Sequence, residues 1–215
     1  MTDRERELQG ALEAHRTLLA RLDTIDDDQV SRASLLPGWT VGHVLTHIAR
    51  NADGLRNLLE GALRGEETAM YPGGLDQRTA DIEAGAHRGA VGLTLDVRTT
   101  AASLEAVFAA MTPEAWDRTG IAAFGPVAID EVPFRRWRET EVHHADLGLG
   151  YSWEDWPDGY VRAELRRLTI LWDSRRPMGL TGLPPAALAV SDHRRAAWLL
   201  GRAEIEGLEP AGLMG

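Results

Sequence analysis

Apolar residues recurring every three or four positions, in blocks separated by Pro and Gly, restrict this chain to packed helices. The clearest block runs from Thr40 to about Leu63, with Val44, Leu45, Ile48, Ala52, Leu55, Leu58, Leu59 and Ala62 on one stripe. Pro37-Gly38 punctuates ahead of it, and Thr40 is placed to cap it. A second block, from Arg4 to Leu22, repeats the pattern with Leu8, Ala11, Leu12, His15, Leu18, Leu19 and Leu22, and the polar DTIDDDQ ends it. Between Asp76 and Met111 the sequence reads as a short helix followed by a long one, the latter striped by Leu93, Val97, Ala101, Leu104, Val107 and Phe108. Thr112-Pro113 marks another helix start. Residues 120–129 bear glycine and β-branched side chains, which allow a loop or a short strand.

A further helix spans about Pro133 to Leu147, where Gly148 and Gly150 stop it, and another runs from Asp158 to Trp172. The Pro/Gly-rich RRPMGLTGLPP then reads as a boundary, followed by a short strand around ALAV and one helix. The expected fold is mainly α: an up-and-down four-helix bundle over residues 1–174 and a small C-terminal α/β appendage over 175–215.

Composition narrows the chemistry. With 33 acidic against 23 basic residues and a net charge of -10, the chain lacks the cation excess that phosphate-backbone binding needs, so small molecules are expected as partners rather than nucleic acid. No run of about 18 apolar residues could span a membrane, and MTDRERELQG is charged where a secretory signal is apolar, so a cytoplasmic protein is expected. Without a heptad run, a monomer is expected. There is no cysteine, which excludes disulfides, thiolate zinc sites and a cysteine nucleophile together.

The densest chemistry lies in RWRETEVHHADLGLG, from Arg136 to Gly150. Residues four apart share a helix face, so Glu139 and His143 point together, with Arg136 and Asp146 continuing the row. A carboxylate and an imidazole at that spacing suit zinc or another divalent first-row ion but need a ligand from a second helix. His47, at the margin of the Thr40 stripe, is the best candidate. Spacing alone leaves His43 paired with His47, and His144 beside His143, as competitors, and an ordinary solvated helix face also satisfies the pattern.

Four segments in series carry a resemblance: LPGWTVGHVLTHIARNADGLRNLLEGA, MYPGG with RTADIEAGAHR, RWRETEVHHADLGLG and AAWLLGR. In order and spacing they resemble the mycothiol-dependent maleylpyruvate isomerases, within the wider DinB-like superfamily of metal-binding four-helix bundles. The resemblance implies zinc held by His47, Glu139 and His143, with His43, Glu141 and His144 outside the ligand set. It also implies that Asp146 orients His143, and that Arg78 or Arg202 meets substrate carboxylates. The implied reaction converts maleylpyruvate to fumarylpyruvate in gentisate catabolism: a thiolate adds to the alkene, the bond rotates, and the thiolate leaves. With no cysteine in the chain, the implied thiol is mycothiol. A mycothiol S-transferase and a non-catalytic helical binding module are the alternative readings.

Overall fold

The computed structural model describes residues 1–175 and 182–213. Its helices begin where side chains satisfy the first free backbone N–H groups. Helix α1 (Asp3–Leu22) starts at Thr2, whose hydroxyl accepts from Glu5 N while the Glu5 carboxylate accepts from Thr2 N. Asp26 and Gln29 cap α2 (Asp27–Ser31) in the same reciprocal way, and Thr40 and His43 do so for α3 (Val41–Arg64). Next come α4 (Gly74–Ala86), α5 (Ala90–Ala110) and α6 (Pro113–Trp116), the last begun by Thr112 as its Thr-Pro pair implies.

The stretch whose composition allows loop or strand is an antiparallel hairpin, β1 (Thr119–Ala122) with β2 (Gly125–Ala128). Its outer edge is stitched to the loop after α3: Met70 N donates to Ile121 O at 2.7 Å, and Ile121 N to Thr68 O at 2.9 Å. Helix α7 (Val132–Asp146) comes next.

Residues Met1–Leu149 form one compact unit and Gly150–Gly215 a second. In the first, α3 packs against α5 and α7, and α1 against the same two, so α1, α5, α3 and α7 form the ring of a four-helix bundle. The chain therefore crosses the bundle diagonal between α1 and α3 and again between α5 and α7. Helix α4 lies on the outside of α3. Two apolar clusters fill the centre. Leu18, Leu22, Val44, Leu45, Ile48, Leu93 and Val97 build one, and Leu55, Leu58, Leu59, Leu104, Phe108, Trp116 and Val132 the other.

A buried polar layer ties the four helices together. The guanidinium of Arg136, fully buried on α7, donates to His15 Nε2 of α1 at 2.7 Å, and to Ile48 O and Asn51 Oδ1 of α3 at 2.9 Å each. Because Nε2 accepts, the His15 hydrogen sits on Nδ1, 2.7 Å from Glu105 Oε1 of α5. Burial and the adjacent Arg136 push His15 down to about 4, so it is neutral at pH 7. Arg136 itself falls only to about 10 through burial and keeps its charge.

The second unit holds α8 (Asp158–Ser174), α9 (Pro185–Leu188) and α10 (Asp192–Leu199). Helix α8 packs on α10, with the Trp172 and Trp198 rings 5.4 Å apart. That packing places the α8 segment in the C-terminal unit, so the division falls at Leu149–Gly150 and not at residue 174. The ALAV segment does not form a strand: Pro185 begins the single turn α9, and Arg195 of α10 fastens this segment by donating to the Ala187 and Val190 carbonyls. Residues 176–181 of the Pro/Gly-rich connection lie outside the described residues. Among the described residues no helix is long and apolar enough to cross a membrane.

Candidate metal centre

Helix α3 is buried on almost every side because α4, α5 and α7 all pack on it, so its polar residues Thr46, His47 and Asn51 face neighbouring helices instead of water. The i,i+4 pair on α7 lies opposite. His47 Nε2 is 3.0 Å from Glu139 Oε2, His143 Nε2 is 3.7 Å from the same oxygen, and the two imidazole rings stand perpendicular with centroids 4.4 Å apart. One donor atom from each of the three residues falls within 4.8 Å of the other two. The expected trio is thus brought together from two helices.

Two observations test whether a cation fits. The Glu139 side chain is 29% exposed overall, yet its Oε2 is buried and faces His47 Nε2 at 3.0 Å and His143 Nε2 at 3.7 Å. A buried carboxylate oxygen facing two imidazole nitrogens is a donor set that suits a divalent cation. Burial alone would raise Glu139, but His47, His143 and Arg136 outweigh it and hold the carboxyl well below the usual carboxylate range, ionised and ready to ligate. Burial, reinforced by His143, pushes His47 down to about 4, so its ring is neutral at pH 7, as a ligand must be.

The surrounding side chains hold these groups in place. Asp146, buried at the end of α7, lies 2.8 Å through Oδ2 from His143 Nδ1, which leaves Nε2 of that ring directed at Glu139. Arg78 of α4 reaches His47 Nδ1 at 2.6 Å. Arginine can only donate, so Nδ1 accepts and the hydrogen of the neutral His47 ring sits on Nε2. Arg202 belongs to the C-terminal unit, where its guanidinium donates to Leu200 O at 2.8 Å. Glu141 and His144 are buried rather than solvated, and Glu141 accepts from Trp137 Nε1. His43 points away from the trio, toward Glu83.

A cavity of about 300 Å³ opens beside His47 and Glu139. Leu55, Leu58, Met70, Leu75 and the hairpin tip around Phe124 form its apolar wall, while Asn51, Tyr71, Arg78, Arg135 and Arg138 supply polar groups. Three arginines thus line one small pocket in a chain of net charge -10. Arg135 and Arg138 are not distinguished in the sequence from surface helix arginines. The one available signal is that Arg135 stands four residues before Glu139, on the same helix face.

Residues 11–148 match the family model described as the mycothiol maleylpyruvate isomerase N-terminal domain. Among solved structures the chain is similar to a mycothiol-dependent maleylpyruvate isomerase, at 26% identity and a TM-score of 0.82, over 94% of this chain and 90% of that one. A histidine-to-alanine mutant of a mycothiol-dependent maleylpyruvate isomerase gives the same values. No curated protein matches the sequence. The family match covers most of the chain and ends one residue before the boundary of the N-terminal unit. The chain belongs to the mycothiol maleylpyruvate isomerase N-terminal domain family.

Proposed function

We propose that this protein is a zinc- and mycothiol-dependent cis-trans isomerase that converts maleylpyruvate to fumarylpyruvate. The observation that carries the reading is the convergence of His47, Glu139 and His143, the first two of which line an arginine-bearing cavity. Three protein ligands leave a catalytic zinc an open position. Bound there, zinc supplies Lewis acidity, favouring the thiolate form of a thiol or drawing charge from a carbonyl.

The chain's own residues account for the rest. Asp146 fixes the His143 ring, so the donor nitrogen is presented without loss of rotamer freedom on binding. When His47 ligates through Nε2 its hydrogen sits on Nδ1, and Arg78 loses its acceptor; the guanidinium then becomes available to a substrate carboxylate. Arg138 and Arg135 line the same cavity and are suited to the second carboxylate of a dianion. The buried apolar side chains of Leu55, Leu58 and Met70 on the cavity wall lower the local dielectric, which strengthens each of these charge interactions. Because the chain has no cysteine, the nucleophile is an external thiol, in keeping with the mycothiol of the family description.

The test is to mix zinc-loaded protein with maleylpyruvate, with and without mycothiol, and follow conversion by absorbance. Thiol-dependent formation of fumarylpyruvate, lost in H143A, is expected. A stable thiol adduct without fumarylpyruvate would replace the isomerase reading with a thiol S-transferase.

A further inference from the structure

A second group of the same composition lies one helical turn along α3. His43 Nε2 is 3.3 Å from Glu83 Oε2, and His87 Nε2 is 3.5 Å from Glu83 Oε1. As with Glu139 and His143, a glutamate and a histidine four residues apart on one segment meet a histidine of α3, and one donor atom of each falls within 4.8 Å of the others. We propose that His43, Glu83 and His87 form a second binding site for a divalent first-row cation, zinc in particular, which links α4 to α3.

The geometry fits such an ion. Nitrogen and oxygen donors about 2.1 Å from a tetrahedral zinc stand about 3.4 Å from one another, close to the 3.3 Å between His43 Nε2 and Glu83 Oε2 and the 3.5 Å between His87 Nε2 and the other Glu83 oxygen. The helices are held at this spacing by direct contact. A Cβ on Gly42 would lie 2.2 Å from the Ala86 carbonyl, and one on Gly85 would lie 2.5 Å from Thr46 Cγ2, so glycine at both positions lets the end of α4 seat on α3. The His43 ring is buried and pinned: its Nδ1 accepts from Thr40 N at 3.2 Å, which puts the ring hydrogen on Nε2 facing Glu83, and ligation through Nε2 would move that hydrogen to Nδ1, 2.7 Å from the Thr40 hydroxyl, which can accept it. Glu83 and His87 are 69% and 72% exposed, which leaves room for water to complete the coordination and makes this the weaker of the two sites. Helix α4 also carries Arg78, so a cation here restrains the helix that presents Arg78 to the cavity.

Untagged, chelator-stripped protein titrated with zinc against a chromophoric chelator tests the site. Wild type is expected to take up two equivalents, H87A and E83Q one each, H143A one, and H87A/H143A none. The exposure of Glu83 and His87 means that neither substitution threatens folding, and circular dichroism verifies this. Loss of one equivalent in H87A but not in H143A would leave this site standing while the trio of His47, Glu139 and His143 failed. Wild-type and H87A titrations that superimpose would overturn it, leaving His43, Glu83 and His87 as a solvated ion pair. Zinc-dependent slowing of amide exchange in α4, abolished by H87A, is the second expected readout.

Discussion

Replacing Arg136 with methionine should destabilise the N-terminal unit more than any substitution among the proposed ligands. The guanidinium is fully buried and satisfies three acceptors on two other helices, His15 Nε2, Asn51 Oδ1 and Ile48 O, at 2.7–2.9 Å. Methionine fills much of the volume but donates nothing, so His15 Nε2 and Asn51 Oδ1 lose their donor, while Ile48 O keeps the backbone N–H of its own helix. Each such orphan costs about 1–3 kcal/mol and relaxation recovers part of that, so a loss of about 2–4 kcal/mol is expected. Against a total stability of roughly 5–15 kcal/mol that is a large fraction. In urea, with a slope of about 2 kcal/mol per molar, it corresponds to a midpoint lowered by about 1–2 M. The double variant H15L/R136M should recover about 1 kcal/mol or more, because one orphaned acceptor is removed and Glu105, at the edge of the layer, turns to water. A loss below about 1 kcal/mol in R136M, or strictly additive single variants, would refute the polar layer as a tie between helices.

The site itself yields three further expected outcomes. D146N should leave folding intact but weaken zinc affinity about 10- to 100-fold, since a neutral amide oxygen replaces the charged acceptor that orients the His143 ring and raises its basicity; calorimetric titration at fixed pH measures this. A dicarboxylate such as maleate should bind zinc-loaded protein more tightly than stripped protein, and R78A should erase most of that difference; equal affinities would mean that Arg78 is not released from His47. Stripped protein should lose stability as pH falls. His15 and His47 are both held near 4 by burial, below the ordinary 6.5, so the unfolded chain binds more protons between those values. The loss begins below pH 6.5, is complete near pH 4 and reaches roughly 3 kcal/mol per histidine at most. Glu139, whose carboxyl is depressed, adds its own loss only below about 4.5, so urea midpoints at pH 7 and 5 isolate the histidines. Identical midpoints at those two pH values would contradict the burial argument.

The helices were legible because their signals are local. The α3 stripe and its Thr40 cap, the Thr112-Pro113 start of α6 and the end of α7 near Leu147 all lie where periodicity and capping chemistry place them. Features that depend on distant partners were not. The hairpin is fixed by pairing with residues 68–70, about fifty positions away, and α8 joins the C-terminal unit through its contact with α10. Buried charges misled in the same way: Arg136 and Glu141 resemble a solvated helix face until α1 and α3 close over them. Glu139, His143 and His47 were singled out by spacing together with the family resemblance, whereas His43, Glu83 and His87 needed the packing of α4 on α3 to be seen as a group.

The proposed binding of one zinc ion by His47, Glu139 and His143 beside the arginine-lined cavity is open to direct test. Zinc content and zinc-edge X-ray absorption of H87A, which removes the second cluster, test it most directly. One equivalent per chain with two imidazole nitrogens and a carboxylate oxygen in the inner shell, lost in H87A/H143A, is the predicted result. Retention of a full equivalent with an unchanged spectrum in H87A/H143A would contradict it.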